Sequence, residues 1–90
     1  MPTVRIPTSL RSLTNGEAEL RVPGATVREV LNALEARCPG MASRLLDAQG
    51  RVRRYVNIFL NDEDVRFLGE LDTPVAEADR VTLVPAMAGG

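Results

Sequence analysis

Apolar and polar positions alternate at the start of the chain, with Val4 and Ile6 apolar and Thr3 and Arg5 polar. A period of two marks a half-buried strand, and Pro7 stops it. The segment from Pro7 to Gly16 holds two serines, two threonines and the dipeptide Asn15-Gly16, which predicts a long hairpin connection. Alternation returns with Ala18, Leu20 and Val22 on one side and Glu19 and Arg21 on the other, and Pro23-Gly24 closes this second strand.

The period then changes. Thr26-Val27-Arg28-Glu29 fits a capping box, and Val27, Val30, Leu31 and Leu34 form an apolar stripe at helical spacing. Pro39-Gly40 ends this helix, Met41 to Leu46 predicts one further short helical turn, and Gln49-Gly50 reads as a turn. Arg53 to Leu60 is the longest predicted strand, with Val56, Ile58 and Leu60 on one face and Tyr55, Asn57 and Phe59 on the other. A turn at residues 61–64 leads to a short returning strand over Val65-Arg66-Phe67. Leu68 to Asp79 is predicted as a loop with one helical turn, and Val81, Leu83 and Pro85 mark a final strand that ends at the proline.

The order strand, strand, helix, strand, short strand, strand predicts an α+β domain over residues 1–85, followed by a flexible tail over 86–90. Its mixed sheet has about five strands, with one main helix packed across one face. The handedness of crossovers lets the first and last strands lie parallel in the centre. At about 0.05–0.15 kcal/mol per residue, such a domain is stable by roughly 5–13 kcal/mol without disulfide or metal.

Composition narrows the chemistry. The 90 residues include no histidine, so Ser-His-Asp and Cys-His catalysis and histidine-ligated metals are excluded. The single cysteine, Cys38, can form neither an internal disulfide nor a multi-thiolate zinc site. All 11 basic residues are arginine, which excludes lysine Schiff-base chemistry and self-linked isopeptide polymers. With 12 acidic residues the net charge is −1, and aromatics make up 3%, a balance that argues against nucleic-acid binding. The chain has neither an apolar run long enough to span a membrane nor a secretory profile at Met1-Pro2-Thr3-Val4-Arg5, so no membrane association and a cytoplasmic location are expected.

The most informative segment is the last, Pro85-Ala86-Met87-Ala88-Gly89-Gly90. Residues without bulk let a chain thread a narrow channel, and the five that follow Pro85 reach about 17 Å when extended. The plainer reading is small residues fraying at a terminus.

Taken with the strand order, the sequence resembles the MoaD/ThiS family of ubiquitin-like sulfur carriers, and most of all its CysO-type branch from cysteine biosynthesis. The residues that carry the resemblance are Arg54-Tyr55-Val56-Asn57-Ile58-Phe59-Leu60-Asn61-Asp62-Glu63-Asp64-Val65-Arg66-Phe67, Asp79 to Ala86, and Ala88-Gly89-Gly90. Ile6-Pro7-Thr8 and Leu34-Glu35-Ala36 fit as well. Many molybdopterin-synthase small subunits carry Pro-Pro ahead of the tail, whereas this chain has Val84-Pro85.

The resemblance implies a β-grasp fold and a carrier with no catalytic residue, bound cofactor or metal of its own. An E1-like adenylating enzyme would use ATP to activate Gly90, and sulfur would then replace AMP to leave a thiocarboxylate. A pyridoxal-phosphate-dependent cysteine synthase would receive the sulfur, and a metalloprotease would release the cysteine adduct. Tyr55, Phe59 and Ala86 through Gly90 are the expected partner-binding residues. The alternatives are the small subunit of molybdopterin synthase, a ubiquitin-like modifier of other proteins, and a plain interaction module.

Other residues carry two readings each. Tyr55 and Phe59 form either an exposed partner surface rimmed by Arg53 and Arg66 or cross-strand and loop packing. Asp62, Glu63 and Asp64 read as a solvated turn in preference to a cation site, which needs six or more oxygens; contact with basic residues of an activating enzyme is a further option. Cys38 reads as structural in preference to reactive. The Arg51, Arg53, Arg54 run reads as a solvated strand entry in preference to a phosphate or acidic-partner site.

Overall fold

The computed structural model describes residues 1–85. Five strands, β1 (Thr3–Arg5), β2 (Glu19–Arg21), β3 (Val56–Leu60), β4 (Glu63–Asp64) and β5 (Arg80–Pro85), form one sheet in the order β2-β1-β5-β3-β4. β1 and β5 are parallel at its centre, and every other pairing is antiparallel. This is the mixed five-stranded sheet expected of a β-grasp domain.

One helix, α1 (Val27–Arg37), lies across the sheet and buries Val27, Val30, Leu31 and Leu34, the four residues of the predicted stripe. Thr26 Oγ1 accepts from Glu29 N–H at 3.2 Å, while Glu29 Oε1 accepts from Ala25 N–H at 2.9 Å. The box therefore closes one residue earlier than its usual reciprocal bond to the cap residue itself. Val4, Ile6, Val56, Ile58, Val81 and Leu83 meet the helix from the sheet, all but solvent-free.

A second short helix, α2 (Met41–Leu45), follows Pro39-Gly40 as expected. Gly40 enters it at φ 98°, a left-handed conformation that suits glycine. Glu35, one turn from the end of α1, reaches forward to accept from Gly40 N–H at 3.1 Å and Ala42 N–H at 2.8 Å. Those donors, Ala42 foremost, hold its carboxyl below the ordinary range.

Three expectations need correction. The third strand begins at Val56, not Arg53, because Val56 N–H turns back to Arg53 C=O at 2.9 Å and Arg53 N–H is tied to Leu45 C=O at 2.9 Å. Val65–Phe67 is a 3-10 helix and not a returning strand; the returning pairs are Asp64 with Phe59 and Glu63 with Leu60. Asp64 Oδ1 accepts from Arg66 N–H at 2.8 Å, and this cap coils the chain while Val65 drops into the core. The hairpin connection also has structure of its own. Thr8–Thr14 forms a 3-10 helix with Leu10 and Thr14 buried, and Thr14 Oγ1 donates to the main chain of this loop.

The stretch from Leu68 to Asp79 contains a short 3-10 helix, Glu70–Asp72, inside the predicted loop. Buried Thr73 holds it, donating to Glu70 C=O at 2.7 Å and accepting from Gly69 N–H at 2.9 Å. Val27 N–H to Thr73 C=O and Val75 N–H to Ala25 C=O then moor the loop to the start of α1. Among the described residues, no helix is long and apolar enough to cross a membrane.

Candidate functional site

The site is the rim from which the chain leaves β5. That strand is hydrogen-bonded on both sides, to β1 and to β3, and its last pairing sets Pro85 opposite Val56. Val81 and Leu83 face α1, so the alternation of a strand sends Arg80, Thr82 and Val84 to the open face. Val84 is exposed there although apolar. Ala86, Met87, Ala88, Gly89 and Gly90, the predicted tail, lie outside the described residues.

On the β3 side of the rim, Tyr55 precedes the strand instead of sitting in it, and is 48% exposed. Phe59 does lie on the open face, between Thr82 of β5 and Asp64 of β4, and is half-buried by them. Tyr55 and Phe59 are thus placed differently, one at the rim and one further along the face.

Sequence reading missed two neighbours. Phe67 is 85% exposed and Leu68 is exposed beside it, both presented by the 3-10 helix after β4. A helical turn with Val65 inward turns Phe67 out, whereas a strand would have returned Val65 and Phe67 to the same face. The signal was available in Asp64 and Arg66, an acidic cap two residues ahead of an amide donor.

Asp64 organises this side. Its carboxylate accepts from Asn57 Nδ2 at 2.8 Å and from Arg66 N–H at 2.8 Å, with Arg66 Nη1 at 3.8 Å. Arg66 Nη2 meanwhile donates to Arg53 C=O at 2.8 Å, which ties the turn to the segment carrying Tyr55. Burial pushes the Asp64 carboxyl up, but the Arg66 amide, the Asn57 amide and the Arg66 charge together outweigh it and hold it below the ordinary range. Asp62 and Glu63 are exposed, so of the acidic run two residues are solvated and one is a built-in anchor.

On the β1 side, β1 ends at Arg5 and the chain turns away at Pro7, leaving β5 unflanked beyond Thr82. The gap is a groove of about 550 Å³ whose walls include Pro7, Arg5 and Arg11 on one side and Thr82, Val84 and Pro85 on the other. Arg11 Nε donates to Ile6 C=O at 3.1 Å, which fixes the guanidinium against the groove.

The remaining candidates lie elsewhere. Cys38 is buried at the carboxyl end of α1, its N–H bonded to Leu34 C=O. Arg53 Nε donates to Ser43 C=O at 3.2 Å, while Arg51 and Arg54 are exposed. What the rim offers chemically is recognition, through exposed apolar side chains and oriented guanidinium groups.

Comparison with known proteins agrees with this geometry. The sulfur carrier protein CysO of Mycobacterium tuberculosis is 48% identical over 90 residues, covering 98% of this chain and 97% of its own length. The small archaeal modifier protein 3 of Haloferax volcanii is 39% identical over 66 residues, covering 73% of this chain and 71% of its own. Among solved structures, a chain of the Amycolatopsis orientalis BexX/CysO complex superposes with a TM-score of 0.93 at 43% identity, covering 100% of both chains. The crystal structure of Mycobacterium tuberculosis CysO gives 0.92 at 45% identity, covering 97% of this chain and 100% of that one. These relatives are named as carriers and modifiers, not as enzymes. The model of the ThiS family matches residues 4–90, and with near full-length likeness to sulfur carriers in both sequence and fold, the chain belongs to the ThiS family.

Proposed function

We propose that the chain carries sulfur as a thiocarboxylate on Gly90 and delivers it to cysteine biosynthesis. The observation that supports this most is the near full-length 48% identity to the sulfur carrier CysO, joined to a family match that runs through Gly90.

A free carboxylate resists substitution, because its charge repels nucleophiles and oxide is a poor leaving group. In the proposed cycle an E1-like enzyme lets a Gly90 oxygen attack the α-phosphorus of ATP, and pyrophosphate leaves. Sulfide then attacks the acyl carbon of the adenylate and expels AMP, so that one oxygen of Gly90 has been exchanged for sulfur. With a persulfide donor, a second thiol must cleave the resulting acyl disulfide. The thiocarboxylate sulfur takes the place of the activating group on the β-carbon of an O-activated serine held by a pyridoxal-phosphate enzyme, and that group departs with the serine oxygen as its anion. An acyl shift from sulfur to nitrogen leaves cysteine amide-linked to Gly90, and a metalloprotease releases it by hydrolysis. The carrier supplies the reacting carboxylate and the surface by which partners hold it; the rim with Tyr55 and Phe67, and the open face at Phe59, form the proposed grip.

The test is intact mass spectrometry after incubation with ATP, sulfide and the E1-like enzyme of the same organism. The expected result is the mass gain of one oxygen exchanged for one sulfur, absent from a chain lacking Gly90. An unchanged mass in the presence of an enzyme that activates another carrier overturns the proposal.

The likeness to small archaeal modifier protein 3 favours one second reading, attachment of Gly90 to lysines of other proteins. Higher-mass conjugates that survive reducing denaturation would establish it.

A further inference from the structure

The groove beside β5 has a chemistry that the carrier cycle leaves unused. Its walls are apolar where Pro7, Val84 and Pro85 meet, and polar where Arg5 and Arg11 enter; among the described residues no aspartate or glutamate lines it. Arg11 is held there from behind. Its Nε donates to Ile6 C=O, so the planar head is pre-oriented while its two Nη groups remain available, and among the described residues no carboxylate forms an ion pair with it. Among the described residues Arg5 forms an ion pair only with Glu19, at 3.9 Å, and shares that carboxylate with Arg80, also at 3.9 Å. Arg5 and Arg80 thus share one glutamate, with Asp62 lining the hollow beyond them, whereas Arg11 has no carboxylate partner among the described residues.

An oriented guanidinium at the mouth of an apolar groove matches a carboxylate bidentately, and the orientation lowers the entropy lost on pairing. Apolar walls on either side would exclude water from that pair and strengthen it. Pro85 is both a wall of the groove and the residue from which the sequence continues to Gly90. A protein that handles Gly90 therefore works within the roughly 17 Å that five extended residues can span from a wall of the groove.

We propose that this groove is the docking site for an acidic, partly apolar segment of the enzyme that adenylates Gly90, with Arg11 as the residue that receives its carboxylate. The inference rests on the carrier reading above and adds the partner's chemistry to it. Arg11 is a recognition residue here; the acyl chemistry at Gly90 does not involve it.

The test measures the affinity of the full-length chain for its adenylating enzyme, together with the rate of ATP–pyrophosphate exchange. Arg11→Glu should weaken binding about tenfold or more, raising KM for the carrier with little change in kcat, and Arg11→Lys should recover part of the loss. The Ile6 contact makes Arg11→Glu liable to disturb the 3-10 helix, so Val84, already exposed, supplies an independent arm. Val84→Glu should weaken binding, whereas Val84→Lys should bind at least as tightly as Val84→Gln. Raising the salt concentration should weaken the wild-type complex more than the Arg11→Glu complex.

Equal affinities for Val84→Glu and Val84→Lys overturn the inference and leave the carrier reading standing. Faster adenylation of Arg11→Glu would mean that the groove holds the chain's own terminal carboxylate, and a change in its sedimentation when alone would mean a second copy; either overturns it. An enzyme that neither binds nor adenylates the wild-type chain overturns both readings.

Discussion

Replacing Asp64 with alanine should cost the domain about 2–3 kcal/mol, more than any other single exposed-face substitution. The carboxylate accepts two bonds of 2.8 Å, from Asn57 Nδ2 and from Arg66 N–H. A hydrogen bond to a charged group contributes about 1.5–3 kcal/mol net, which puts an upper bound near twice that. The Asp64 side chain is only 11% exposed, but Arg66 is 29% exposed, so water can take up part of what alanine abandons. About half of that bound is retained, which gives about 2–3 kcal/mol, on the order of one charged hydrogen bond. For a domain of this size each kcal/mol lowers the melting temperature by about 4–8 °C, giving a fall of about 10–20 °C.

The pH dependence separates this account from simple packing. The folded carboxyl lies below its ordinary value of 3.8. Its contribution is therefore complete above the unfolded value and is lost as the pH falls through the lower folded one. Urea unfolding of the wild type and Asp64→Ala at pH 7, and then at steps down to about pH 3, should show the gap between them closing below about pH 3.9. The Asn57 and Arg66 contacts also hold the turn that presents Phe67, so a change in its hydrogen-exchange protection should accompany the loss. A gap under about 0.5 kcal/mol at pH 7, or one that stays constant to pH 3, would refute the reasoning.

Four further outcomes are expected. Gly24→Ala would set a Cβ 2.7 Å from both Val30 Cγ2 and the Val30 backbone nitrogen, so it should destabilise by about 3 kcal/mol in chemical unfolding. Gly50→Ala, whose Cβ meets nothing within 4 Å, should lose only about 1 kcal/mol to its positive φ. Thr26→Ala removes the cap on Glu29 N–H and should cost about 1 kcal/mol, read as earlier melting of α1 by circular dichroism. Glu35→Gln should be less stable than the wild type at neutral pH; because the folded carboxyl lies below its ordinary 4.5, that difference should vanish as the pH falls through the folded value.

Local rules made most of the fold legible. The Thr26–Glu29 box and the stripe Val27, Val30, Leu31, Leu34 located α1, because both signals operate within one or two turns. Alternation located β1, β2 and β5, whose inward residues are those buried. The failures share a cause: each was decided by hydrogen bonds that alternation does not report, the bond of Arg53 N–H to Leu45 C=O before the third strand among them. Val65-Arg66-Phe67 has strand-like composition, yet Asp64 capping Arg66 coiled it. α2 was legible after Pro39-Gly40, but not the Glu35 carboxylate that holds its start from five and seven residues behind. The groove at Arg11 was equally invisible, since it exists only because β1 stops at Arg5 while β5 continues to Pro85.

The position of β5 bears on how a carrier without catalytic groups can serve enzymes that must find one carboxylate. A reactive end attached to an edge strand would inherit the fraying of that edge. Here the sequence leading to Gly90 departs from the central strand, bonded to β1 as far as Thr82 and to β3 through Pro85, with Val81 and Leu83 locked beneath α1. The last fixed pairing, Val56 with Pro85, stands beside Tyr55 on one flank and the Arg11 groove on the other. A partner that grips either flank thus fixes the point of departure, and five residues of about 3.3–3.6 Å each then define a reach of about 17 Å. On the proposed function, a fixed departure point at Pro85 makes that reach the greatest distance from the gripped surface to the acyl carbon. Shortening the segment by a single residue should therefore reduce sulfur loading while leaving affinity for the activating enzyme's docking surface intact.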